Sequence, residues 1–201
     1  KEKRCKELAI ALTNCRQKAA KIIEQDMKEK LVPMGIPNIQ FQIAMDSKPL
    51  ASDGADKVEV LFSANKNSPL QPIAQVASGG EIARVMLALK AMISGAVKLP
   101  TIIFDEIDTG VSGKVAQQMA FVMQEMGNKN KQVISITHLP QIAALGSTHY
   151  KVEKRDTEKG TTSRLRQLSE EERVTEIAQM LSGTDISEAA LMNARELLKI
   201  N

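Results

Sequence analysis

The chain has 201 residues, 43% of them hydrophobic and 25% charged, with a formal net charge of +3. This fits one substantial globular domain or one and a half small ones and excludes a disordered chain, and the charge is too small to argue for nucleic acid by itself. With no Trp, one Tyr and four Phe, a single-strand platform of stacked aromatics is excluded, and no apolar run is long enough for a membrane helix.

The chain starts at Lys1, without Met or an apolar leader, inside a charged helical pattern. That is expected of a piece cut from a longer protein. Residues Lys1 to Leu31 predict a helix. Cys5, Leu8, Leu12, Cys15, Ala19 and Ile22 recur at alternating spacings of three and four, a heptad seam that fails at Asp26. The alternative is an ordinary amphipathic surface helix. On a straight helix Cys5 and Cys15 stand about 15 Å apart, too far for a disulfide. Unpaired thiols suit a reducing cytoplasm. Pro33, Gly35 and Pro37 end the helix.

Ile39, Phe41, Ile43 and Met45 alternate with Gln40, Gln42 and Ala44, which predicts a half-buried strand. Asp46 to Lys57, with Pro49, Asp53 and Gly54, reads as a turn or loop. Val58, Val60 and Phe62 give the return strand, and Ser63 to Val76 reads as loop.

Ser78-Gly79-Gly80-Glu81 opens a strong helix with Ile82, Val85, Met86, Leu89, Met92 and Ile93 on one face. Ser78 and Glu81 form a capping box, with Ser78 as N-cap. The cap leaves Gly79-Gly80 unexplained, because each glycine gives up about 1 kcal/mol against a good helix former. Two together suggest close approach to the backbone, and a helix N-terminus suits phosphate.

Thr101 to Phe104 is a short apolar run ending in Asp105-Glu106. It predicts a parallel strand covered on both faces, with two carboxylates at its carboxyl end, where open α/β sheets bind ligands. One carboxylate can hold Mg²⁺ while the other orients and deprotonates water. The bland alternative is a pair of solvated turn carboxylates. Ser112 to Met126 predicts a helix, stopped by Gly127-Asn128. Gly113-Lys114 is not a phosphate-binding P-loop: G-x-x-x-x-G-K-S/T needs Gly where Asp108 stands and Ser or Thr where Val115 stands.

Gln132 to Thr137 predicts a second buried strand, ending at His138. A helix between two such strands implies parallel neighbours, so Asp105, Glu106 and His138 are expected at one sheet edge. His138 there suits the sensing of a phosphate. His149 reads as a surface residue. Pro140 to Leu145 predicts a short helix, and Tyr150 to Leu168 a hairpin around Glu158-Lys159-Gly160. Ser169 to Leu181 and Ser187 to Ile200 predict two helices. The Glu170-Glu171-Glu172 run fits a solvated helix start.

Three motifs in order, S-G-G-E opening a helix, a strand ending Asp-Glu, and a strand ending His, resemble the ABC-type ATPase heads of the SMC family. The wording of Val76 to Glu81, Ile103 to Gly113 and Thr137 to Gln141 resembles its double-strand-break repair branch, as do Arg173 to Leu181 and Ala194 to Leu198. The resemblance implies an α/β fold, the C-terminal half of an ABC-type ATPase head (parallel strands with flanking helices, plus a hairpin). Residues 1–31 would be the end of a coiled-coil arm and 32–201 the head lobe. It implies ATP and Mg²⁺ as cofactors. Ser78, Gly79 and Gly80, with Glu81 beside them, would form the signature motif and contact nucleotide held by a partner head. Asp105 would help hold Mg²⁺, Glu106 would polarise the attacking water, and His138 would contact the γ-phosphate. Asp108 to Ser112 would be the D-loop, which crosses the dimer interface, with Asp108 among the nucleotide-binding residues and Ser112 where the SMC form has Asp. The Walker A lysine would come from the protein's own N-terminal half. Implied partners are that half, a second head and DNA, in a cytoplasmic, nucleoid-associated protein. Rival readings are the head of a chromosome-organising SMC-like protein, and a non-catalytic coiled-coil assembly module.

Overall fold

A computed structural model describes residues 1–75, 79–96, 99–128, 131–157, 160–183 and 185–200. The chain forms two compact units, Lys1–Lys98 and Leu99–Asn201.

In the first unit, α1 (Glu2–Leu31) is one long helix. It packs against an antiparallel hairpin of β1 (Gln40–Ala51) and β2 (Gly54–Ser63). The packed face carries Ala9, Ala20, Met27 and Leu31, all buried. Polar side chains fix the crossing. Asp56, 8% exposed, accepts from Thr13 Oγ1 at 2.7 Å and from Arg16 Nη1 at 2.9 Å. Arg16 Nη2 donates to the Asp53 carbonyl at 2.8 Å, and the Ile43 amide donates to Glu24 Oε1 at 2.8 Å. Thr13 first, then Arg16, hold the Asp56 carboxyl below its ordinary pKa. The heptad seam lies on a different face. Leu8 is 54% exposed and Ile22 71%, and Cys5 and Cys15 are free and exposed.

The stretch Asp46 to Lys57 is not a loop. β1 runs on through Pro49 to Ala51, and a tight turn at Ser52-Asp53 pairs Ala51 with Gly54. Pro49 is accommodated because the register shifts between Ser47 and Ala51, an irregularity that spares the ladder the missing donor. β3 (Gln71–Pro72) adds a short third strand, followed by a 3₁₀ turn. In α2 (Gly79–Ala96) the buried residues are Val85, Leu87, Ala88 and Ser94. Met86 and Ile93, expected inside, are 42% and 45% exposed. The inward face is therefore turned from the one the sequence pattern suggests and keeps Val85 of it.

In the second unit, β4 (Thr101–Asp105) and β5 (Gln132–Ile136) pair in parallel, with α3 (Gly113–Gly127) as the crossover. α3 buries Ala116, Met119, Ala120, Met123 and Met126 at helical spacing. β4 is covered on one face only. Ile102 and Phe104 are buried, whereas Ile103 is 56% exposed, level with Ile134 on β5. The continuous apolar run thus gives β4 a second apolar face that no described residue covers.

α4 (Pro140–Leu145) starts with proline at its first turn. Arg173 closes its other end, donating to the carbonyls of Ala144 (3.3 Å), Gly146 (2.6 Å) and Ser147 (3.4 Å). β6 (Tyr150–Thr157) and β7 (Gly160–Gln167) form the expected hairpin. α5 (Glu170–Ser182) and α6 (Glu188–Leu198) close a core of Ala144, Val174, Ile177, Ala178, Ala190 and Ala194. The acidic run Glu170–Glu172 does more than meet the helix dipole: Ser169 and Glu172 make a full capping box, with reciprocal bonds of 3.3 and 2.8 Å. His149, expected on the surface, is half-buried. Burial, with Arg173 beside it, pushes its imidazole below the ordinary pKa.

Candidate nucleotide site

The parallel ladder pairs Asp105 with Ile136. Two residues beyond Ile136 stands His138, so Asp105, Glu106 and His138 all leave the sheet at the carboxyl end of adjacent strands. Asp105 and Glu106 are exposed, and the His138 side chain is 74% exposed. Among the described residues no cationic side chain forms an ion pair with Asp105 or Glu106. Glu106 has φ +51°, the left-handed region that side chains other than Gly, Asn and Asp seldom adopt. Its carbonyl accepts from Thr109 Oγ1 at 3.0 Å and Thr109 N at 3.4 Å, which holds the turn.

Asp108 lies differently. It is 1% exposed, and its Oδ2 accepts from Thr137 Oγ1 and from the His138 amide at 3.4 Å. The same oxygen stands 3.6 Å from His138 Nδ1. Thr137 entered the sequence reading only as part of the Thr137 to Gln141 stretch, with no role of its own. Its hydroxyl gains one only where the loop brings Asp108 beside it. From Asp108 to Ser112 the chain turns through Gly110 at φ +71°, and Ser112 is exposed.

Of the helix-start motif, Ser78 lies outside the described residues, and with it the capping box. Gly79 and Gly80 are the first residues of α2, and Glu81 is half-buried in its first turn. A methyl group at Gly79 would meet no atom within 4 Å, so packing in this chain does not require glycine there.

The donor set fits a magnesium–phosphate ligand rather than a protein-caged metal. Mg²⁺ is commonly held by one or two carboxylates, with substrate phosphates and water completing the shell. Among the described residues no three His, Cys, Asp or Glu side chains cluster as a metal cage. No helix among them is long and apolar enough to cross a membrane.

No protein-family model matches the chain. It is 40% identical over 197 residues to the DNA repair protein RecN of Halalkalibacterium halodurans, a match covering 96% of this chain and 35% of that protein. To RecN of Haemophilus influenzae it is 36% identical over 194 residues, covering 96% of this chain and 35% of that protein. To RecN of Bacillus subtilis it is 44% identical over 150 residues, 75% of this chain. The chain belongs to the RecN family. It spans about a third of the length of the RecN proteins it matches and corresponds to a C-terminal part of them.

Solved structures agree on the fold. The Smc head domain with coiled coil and joint from Pyrococcus yayanosii matches with TM-score 0.62 at 23% identity, over 80% of this chain and 29% of that one. A chain from work on ATP-driven dimerization and DNA-stimulated activation of SMC ATPases matches with TM-score 0.58 at 21% identity. That match covers 86% of this chain and 99% of the other. The fold of this RecN-family chain is thus that of an SMC-type ATPase head, mixed α/β around a parallel strand pair, as the motif order implies.

Proposed function

We propose that this chain is the C-terminal half of an SMC-like ATPase head that serves DNA double-strand break repair and recombination. The observation that supports it most is the delivery of Asp105, Glu106 and His138 to one edge of a parallel sheet, with no side-chain cation among the described residues paired to the two carboxylates. In this reading Mg²⁺-ATP supplies the phosphoryl group to be cleaved and the metal that shields its charge. Asp105 helps hold the metal, Glu106 orients and deprotonates the attacking water, and His138 meets the terminal phosphate. Ser78, Gly79 and Gly80 present a helix start to nucleotide carried by a second head, with Glu81 bracing the first turn. The Walker A loop and its lysine come from the protein's own N-terminal half, which lies outside the span of this chain. DNA and the second head are partners of the whole protein.

Two features of the chain fit that completion. The Ile103, Ile134 and Ile136 side chains leave one sheet face open, as expected where another layer of the completed head packs. The α1 seam is also open at Leu8 and Ile22, as expected of a coiled-coil arm, 1–31, awaiting its other helix.

The test uses the full protein that contains this segment. Glu106→Gln should abolish ATP turnover yet retain bound ATP and accumulate the two-headed form. Asp105→Asn should weaken Mg²⁺-ATP binding itself. Turnover at the parent rate in Glu106→Gln would overturn the assignment of the base.

A further inference from the structure

We propose that Asp108 is the positioning residue for His138, holding the imidazole by its Nδ1 edge so that Nε2 faces outward. The inference deepens the proposed function and rests on His138 meeting phosphate there.

The geometry carries it. At 1% exposure the Asp108 carboxylate has almost no surface with which to reach a nucleotide. Its Oδ2 instead gathers Thr137 Oγ1, the His138 amide and, at 3.6 Å, His138 Nδ1. Thr137 Oγ1 in turn accepts from the Leu139 amide at 3.0 Å. One buried oxygen thereby pins the turn from Thr137 to Leu139 and faces one edge of the ring. The ring itself is 74% exposed, and its opposite edge carries Nε2. A carboxylate beside Nδ1 selects the tautomer with its proton there, and such partners fix ring orientation as well.

Stability accounts for only one of the two carboxylate oxygens. Asp108 Oδ1 is buried and has no hydrogen-bond donor among the described residues. The bonds to Oδ2 hold the turn, but the second oxygen is desolvated with no donor to offset it. A neutral acceptor could serve Thr137 without that charge, so the carboxylate is explained by what it faces, the His138 ring.

The experiment has two arms. The chain contains only two histidines, 138 and 149, so His149→Gln isolates the His138 ring in long-range ¹H–¹⁵N spectra. With the ring neutral, the parent should carry its proton on Nδ1. Asp108→Ala should shift the population toward Nε2–H. Asp108→Asn, which keeps an acceptor for Thr137 and hence the fold, should shift it part of the way. A tautomer unchanged in both variants overturns the proposal. The second arm measures ATP turnover in the full protein. Asp108→Ala should lower kcat about 10–100-fold, as loss of an orienting partner does, with little change in KM. The double variant Asp108→Ala/His138→Ala should be no slower than His138→Ala alone, because the two act as one unit. A double variant slowed by the product of the single effects would assign Asp108 a separate role and overturn the proposal. If His138→Ala alone turned over at the parent rate, the role of His138 in the proposed function would fail and positioning would have no reaction to serve. The tautomer arm reports the Asp108–His138 pairing independently of that outcome.

Discussion

Glu106 holds a backbone conformation that its side chain does not favour, and that strain can be measured without nucleotide. With φ at +51°, an L-residue of this type gives up about 1–2 kcal/mol against its ordinary conformations. Its side chain is exposed, so replacing it forfeits little packing. The turn is held by Thr109 bonds to the Glu106 carbonyl, which every replacement retains. Glu106→Gln keeps the strain and should leave the unfolding midpoint near that of the parent. Glu106→Asn enters the left-handed region more readily and should recover part of the strain, about 0.5–1 kcal/mol. Glu106→Gly recovers all of it but loses about 0.4–1 kcal/mol through its freer unfolded chain. It should land near Asn. For a chain of this length about 1 kcal/mol moves the midpoint by roughly 2–4 °C. Thermal unfolding of the chain alone, followed by circular dichroism, reads these shifts. In the full protein all three variants should lose turnover, so stability and activity move oppositely for Asn and Gly. That is the behaviour of strain kept for function. If Gly and Asn both melted below the parent while Gln did not, the reasoning from φ would be refuted.

Two further outcomes concern pH. The depressed pKa of His149, caused first by burial and next by Arg173, means the unfolded chain takes up its proton first. Stability from this group is full above the unfolded value of 6.5 and is lost as pH falls through the folded one; His149→Gln should flatten the dependence on the acid side of neutrality, and an unchanged slope would contradict this. The Asp56 carboxyl is lowered by Thr13 and then Arg16, so the α1–hairpin contact should be intact above the unfolded value of 3.8 and loosen as pH drops below it. In Asp56→Asn that acid transition should vanish from hydrogen exchange at the α1 amides near Thr13 and Arg16, and its persistence would place the titrating group elsewhere.

Much of this fold was legible because its signals are local. The helices follow from 3.6-residue spacing and their stops, and the parallel pair follows from two short apolar runs flanking a helix. The misreadings arose where tertiary context overrode a local rule. Pro49 reads as a strand breaker, yet a register shift accommodates it in β1. Met86 and Ile93 read as core, yet α2 turns Leu87, Ala88 and Ser94 inward instead. Ile103 reads as buried on a strand covered twice, yet this chain covers one face of β4. For the candidate site, Asp105, Glu106 and His138 were readable from position at strand ends. The inward turn of Asp108 was not, since nothing in Ile107-Asp108-Thr109 distinguishes a carboxylate facing a nucleotide from one facing Thr137. Only the loop geometry, with Gly110 at positive φ, makes that choice.

The claim that this chain supplies only part of a nucleotide site is tested most directly by calorimetric titration with Mg²⁺-ATP. Tight binding in this class needs a glycine-rich loop whose N–H groups wrap the phosphates, together with a lysine. Gly113-Lys114 cannot supply it, with Asp108 and Val115 at the positions where the motif needs Gly and Ser or Thr. Asp105 and Glu106, paired with no lysine among the described residues, add repulsion against a triphosphate. The account predicts no tight binding to the chain alone, and binding once the N-terminal half of the same protein is added. Micromolar binding to the chain alone, lost in Asp105→Asn, would contradict it.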